Sequence, residues 1–241
     1  YCPSCREQRR LATRNDYALS NRACSLCHKS IIAIYPSDTE YPVYCKECWW
    51  SDQWEASDLA IDYDFAQTFF SQFAQLRSVV PRLALINRNA ENSDYINYAS
   101  NNKNCYLTFN ADGNQDCYYS DSIDDCRNCL DMYWSASCEL SYELIACLTS
   151  YNSQFCLYSN ALSDCYFCNY CDDCHDCFGC FGLAHKQYYI FNQAYTAEEY
   201  KKIVAAVLLQ KSSHQGLQEI KQKVSNFFAT LPHHYATISD S

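Results

Sequence analysis

Thirteen cysteines crowd into residues 105–180, and they recur inside one short phrase. Asn104-Cys105-Tyr106-Leu107 returns as Asp116-Cys117-Tyr118-Tyr119, as Phe155-Cys156-Leu157-Tyr158 and as Asp164-Cys165-Tyr166-Phe167. Cysteines 117, 126, 138, 147, 156, 165 and 174 stand nine or twelve residues apart. A short fixed period marks a solenoid, and two such steps predict a coil of about 18–21 residues. No helical or leucine-rich repeat carries this pattern.

The residue types select a β-solenoid. Alternating small-apolar and aromatic positions suit short strands. Asn and Asp suit corners, because their side chains bond nearby backbone and tolerate left-handed dihedrals. Stacked asparagines form ladders along the axis, and cysteine is a small hydrophobe that fills a narrow interior. Cys165, Cys168, Cys171, Cys174, Cys177 and Cys180 follow one another at intervals of three. Stacked buried thiols are the first reading of this run. Ligation of zinc, copper(I) or an iron–sulfur cluster is the second. Disulfides come last, since thirteen is odd and the zinc-type pairs described next imply a reducing, cytoplasmic setting.

Six other cysteines form three Cys-x-x-Cys pairs in the first 48 residues. Cys24-x-x-Cys27 and Cys45-x-x-Cys48 have the spacing of a four-thiolate zinc site. Between them, residues 31–35 read as a strand, Pro36-Ser37-Asp38 as a turn and Pro42-Val43-Tyr44 as the return. Cys2 and Cys5 are read as half of a second site whose first knuckle lies upstream of Tyr1. Spacing alone also allows them to partner Cys24 and Cys27. Arg6, Arg9, Arg10 and Arg14, on a short basic segment, are candidate nucleic-acid or ribosome contacts; the blander reading is that they solvate a helix.

Net charge is −10, unevenly spread. Residues 1–30 carry six Lys/Arg against two Asp/Glu, and residues 91–180 carry two against fourteen. An acidic middle repels phosphates, so nucleic acid is a less favoured partner than protein or carbohydrate. There is no apolar run long enough for a bilayer. After the ribbon, Trp49, Trp50 and Trp54 read as a small packing cluster, and residues 62–80 as an amphipathic helix stopped by Pro81. Thr196 and Glu199 form a capping box for a helix, and residues 217–231 a second helix. Helix, proline and an Ala-x-Ile phrase occur at both 80–86 and 231–238, so a second solenoid is expected beyond Ser241.

The expected architecture is mainly β with flanking helices. A zinc ribbon spans 1–54, a helical connector 55–90, a Cys/Tyr/Asn-rich β-solenoid 91–193 and amphipathic helices 194–241. Residues 2–15, Lys29-Ser30-Ile31-Ile32, Trp49-Trp50-Ser51-Asp52-x-Trp54 and Asn102-Lys103-Asn104-Cys105-Tyr106 resemble zinc-ribbon, Cys-rich-repeat proteins of uncultivated candidate-phylum bacteria. The resemblance covers nearly the whole chain. It implies longer chains with a preceding Cys-x-x-Cys and further solenoid turns, and a structural zinc; it adds architecture rather than function. No phosphate loop or hydrolase motif is present, His175 and Asp176 carry no catalytic pattern, and the catalytic set is empty. The function expected is a zinc-binding, non-catalytic scaffold or interaction protein. The alternatives are a nucleic-acid-associated ribbon using the basic segment, or a thiol-based metal-handling or redox protein using residues 165–180.

Overall fold

From Tyr98 to Phe191, every third residue of the computed structural model has a backbone φ between +45° and +69°. Each is a corner, and the chain reads corner, inward, outward, corner. Asn, Asp and Gly take such dihedrals at little cost. Tyr98, Leu107, Trp134 and Phe155 take them as well, although bulky side chains ordinarily avoid this region. The fold therefore overrides local preference where the corner demands it.

The structure describes Cys2, Cys5, Arg6 and residues 17–232. They fall into two compact units, residues 1–113 and 114–241. In each unit the solenoid pairs residues twelve apart in parallel: Glu91 with Lys103, then Gln115 with Arg127, Arg127 with Glu139 and Glu139 with Tyr151. The coil is thus twelve residues, not the longer repeat expected. Four three-residue sides close it. A step of nine covers three sides, so it moves a cysteine to a different wall of the interior rather than returning it to the same one.

The ladder uses two backbone N–H groups in three. The outward residue donates to a carbonyl eleven residues ahead, as Gln115 does to Cys126 at 2.9 Å. The corner donates to a carbonyl thirteen residues back, as Asn128 does to Gln115 at 3.0 Å. The third N–H belongs to the inward residue, and at many positions a side chain of the preceding coil meets it. Ser93 Oγ accepts from Cys105 at 2.9 Å, Asn114 Oδ1 from Cys126 at 2.9 Å and Ser120 Oγ from Met132 at 3.1 Å. Ser153 Oγ accepts from Cys165 at 3.3 Å, and Cys156 Sγ from Cys168 at 3.5 Å. All thirteen cysteines of 105–180 are inward and buried. Their thiols donate in turn to carbonyls, as Cys147 does to Ile145 and Cys156 at 3.4 and 3.3 Å. Outside the coil, amides stack one turn apart: Asn89 on Asn101 and Asn92 on Asn104, each at 3.0 Å.

In the C-terminal unit, helices α3 (Ala197–Lys211) and α4 (His214–Phe228) cover one side of the solenoid. Val204, Ile220 and Val224 pack with Phe155, Phe167, Phe178 and Ile190. Thr196 and Glu199 form the expected capping box. Gly216 lies in the first turn of α4 rather than interrupting it. A side chain there would collide with the Gln210 carbonyl oxygen, so the tight α3–α4 turn excludes one.

In the N-terminal unit, β1 (Ser20–Ala23) and β2 (Ser30–Ala33) form an antiparallel hairpin around the first knuckle. The expected return strand, β3 (Val43–Tyr44), pairs in parallel with β4 (Arg82–Leu83) instead of with 31–35. Ala33, Val43 and Ala84 make the small core beneath. After the knuckle helix α1 (Lys46–Trp49), α2 covers Phe69–Val79, shorter than the periodicity of 62–80 suggested. Asp64 is the reason. Its carboxylate accepts from the Ala66 N–H and the Gln67 amide at 2.8 and 2.9 Å, which turns the chain before Thr68 caps the helix.

Asn114→Leu would leave the Cys126 N–H without its side-chain acceptor inside the coil, at about 1–3 kcal/mol for the orphaned group. Cys156→Ser keeps an acceptor at the γ position and should cost less. Urea unfolding followed by far-UV circular dichroism compares the two. Equal losses would refute the inward hydrogen-bond account.

Candidate metal centre

Cys24, Cys27, Cys45 and Cys48 converge, with all four sulfurs within 4.8 Å of one another. They come from two knuckles locked together by backbone. In the first, the His28 N–H donates to the Cys24 carbonyl at 3.0 Å, and His28 takes a φ of +61° to reverse the chain. The Cys24 N–H returns to the Lys29 carbonyl at 2.9 Å, which starts β2. In the second, Cys45 caps α1, with its sulfur accepting the Cys48 N–H at 3.4 Å. Ser25 joins the knuckles: its N–H donates to the Val43 carbonyl at 2.8 Å, and its hydroxyl accepts the Val43 N–H at 3.0 Å.

Amides aimed at sulfur set the electrostatics. The Cys45 N–H donates to Cys24 Sγ at 3.3 Å. Burial opposes a thiolate at Cys24, but backbone donors from Cys27, Cys45 and Leu26 outweigh it and bring its pKa down to about 6. Desolvation pushes Cys45 and Cys48 the other way. The amides thus favour the anion at Cys24, and a cation that binds here replaces the thiol protons of Cys45 and Cys48. Cys27 and Cys45 sulfurs lie 3.8 Å apart. Tyr44 and Trp54 pack edge to face beside the knuckle, and the Trp54 indole donates to the Cys48 and Trp49 carbonyls at 3.2 Å each. Trp50, by contrast, faces solvent.

Cys2 and Cys5 stand outside this cluster. They are exposed, with sulfurs 3.1 Å apart and the Cys5 N–H on Cys2 Sγ at 3.4 Å, the same N–H···S contact as at Cys45. Arg6 is exposed, and its N–H closes the turn onto the Cys2 carbonyl at 3.0 Å. Arg9, Arg10 and Arg14 lie outside the described residues. Cys165, Cys168, Cys171, Cys174, Cys177 and Cys180 wind round the interior on successive walls. Among the described residues, Cys24, Cys27, Cys45 and Cys48 are the one group of three or more His, Cys, Asp or Glu whose ligand atoms converge for a metal ion. No described cysteine is in a disulfide.

The four-cysteine site was readable from spacing. The Ser25 clamp was not, since nothing distinguishes it from any polar residue in a turn. The inward address of the later cysteines had a signal: every spacing among the thirteen is a multiple of three. Comparison with protein-family models and with curated protein sequences finds no match.

Replacing Cys45 by Ser removes a ligand and the cap of α1 together. Bound metal, measured by elemental analysis of the purified protein, should fall from about one ion per chain toward none, while the far-UV signal of the solenoid persists. Full metal retention would exclude this cluster as the site.

Proposed function

We propose that the chain is a zinc-stabilised, non-catalytic scaffold that works in a reducing, cytoplasmic setting and presents its solenoid surface to a protein or carbohydrate partner. The convergence of Cys24, Cys27, Cys45 and Cys48 carries the metal part of this reading. Four thiolates in a closed tetrahedral set suit a structural zinc, and zinc–sulfur bonds of about 2.3 Å imply sulfur separations of about 3.8 Å. The Cys27–Cys45 separation is 3.8 Å. Cys24, Cys45 and Cys48 are buried and Cys27 is half-buried, an enclosure that suits a structural ion.

The enclosure of the later thiols supports a structural role for them. Each is buried and donates to carbonyls inside the coil. A redox or metal-handling centre needs exposed, activated thiolates. The corner and outward positions hold the contact chemistry instead, with Tyr119, Tyr133, Trp134, Tyr151 and Tyr158 exposed. Tyrosine and tryptophan offer large contact area with few rotatable bonds. Among the described residues, no helix is long and apolar enough to cross a membrane.

Alkylation with iodoacetamide, counted by intact mass, tests the reading. The zinc-loaded protein should take two adducts, on Cys2 and Cys5, the exposed pair. Chelation should add the four cluster thiols to give six, and unfolding should give nineteen. Rapid native labelling of Cys165–Cys180 would defeat the scaffold reading in favour of thiol chemistry.

A further inference from the structure

The C-terminal unit carries a shallow groove of about 320 Å³ on an outer side of its solenoid, lined by Ser122, Asp124, Trp134, Ala136, Ala146 and Leu148 among others. Trp134 dominates it. This residue is a corner with a φ of +52°, and it is 67% exposed. An indole in the left-handed region is costly, and at this exposure packing returns little of that cost. The corners one coil before and after are Ser122 and Ala146, both small, so the indole stands clear of its stack. Asp124 pairs in register with Ala136, which sets a carboxylate one coil from the ring and two positions along the same side.

The same unit already shows what an acid beside an aromatic ring does on this scaffold. The Lys221 ammonium from α4 lies 2.7 Å from the Glu143 carboxylate and 4.7 Å from the centre of the Phe155 ring. Glu143 and Phe155 are corners one coil apart. Lys211 from α3 likewise sits 5.2 Å from the centre of the Tyr166 ring and bonds Gln154 at 2.6 Å. Those cations come from the helices of the unit itself. The groove at Trp134 offers aromatic and carboxylate chemistry on a side that faces solvent. The charge of the coils favours the same sign of ligand, because residues 114–191 hold eleven Asp/Glu and two Lys/Arg. A field of that kind draws cations and speeds their arrival.

We propose that this groove binds a lysine or arginine side chain from a basic segment of a partner protein. The inference rests on the scaffold reading and names the partner chemistry of its solenoid face. The cation lies over the Trp134 ring and is bonded by the Asp124 carboxylate, which makes the contact charge-assisted. The aliphatic stem covers Ala136 and Leu148, as long cationic side chains do on apolar surface.

Fluorescence anisotropy with a labelled Lys/Arg-rich peptide at low salt tests this on the full zinc-loaded chain. A peptide with Gln in place of each cation and a neutral oligosaccharide serve as the other two probes. The basic peptide should bind and the Gln peptide should not. Trp134→Ala should weaken binding about two- to fivefold, Asp124→Asn by a similar factor, and Trp134→Phe should retain most of it. Unchanged thermal melts show that the exposed substitutions leave the fold intact. Equal binding by all variants would reduce the effect to diffuse attraction by the acidic coils and overturn the site, as would no binding of the basic peptide. Oligosaccharide binding lost in Trp134→Ala, with the peptide unbound, overturns the inference and leaves the scaffold reading standing. Failure of the scaffold reading itself would appear separately, as a thiol count at odds with the burial of the coil.

Discussion

One peptide N–H in every three points into the solenoid, where the backbone ladder has no carbonyl to offer it. An unpaired amide in a closed interior costs on the order of 1–3 kcal/mol, and the coil repeats the problem four times per turn. At many positions the side chain one coil below solves it. Such a side chain is short enough to fit a twelve-residue ring and carries an acceptor at its γ or δ position. Serine, cysteine and asparagine meet both demands, and the inward positions use all three: Ser153 under Cys165, Cys156 under Cys168 and Asn114 under Cys126. Larger inward residues such as Ile123, Met132 and Leu144 fill volume between them.

The two populations of cysteine then share a chemistry and differ in geometry. In both, sulfur accepts a backbone N–H: Cys156 from Cys168 within the coil, Cys24 from Cys45 at the metal centre. In the coil, the thiols sit on successive walls and also donate to carbonyls of their own and the next coil. At the knuckles, several amides converge on Cys24 and lower its pKa, and four sulfurs meet within 4.8 Å. Clustering with converging donors makes ligands of thiols; spacing with carbonyl acceptors makes packing units of them.

With the interior occupied by this satisfaction problem, recognition is confined to the outward and corner positions. Corners tolerate unusual residues because the ladder holds their dihedrals, so Trp134 and Tyr158 stand where Asn or Gly would be easier. One side is covered by α3 and α4 through Phe155, Phe167 and Phe178. The aromatic-plus-acid pairing that seats Lys221 there remains exposed at Trp134.

By itself the sequence determined a good deal. Spacing of Cys24, Cys27, Cys45 and Cys48 is a local property of two tight turns, so the metal cluster was legible. So were the solenoid class, through its repeated phrase, and the Thr196–Glu199 capping box. Coil length was not, although the clue was present: repeated residues appear at any multiple of one side, and only the parallel pairing of residues twelve apart says how many sides close a turn. The pairing of β3 with β4 rather than with the strand at 31–35 was also hidden, because it depends on where residues 82–83 return in space. Which aromatic residues are covered and which are exposed was decided by the tertiary structure alone, since Phe155 and Trp134 occupy like corners and differ only in whether a helix packs above them.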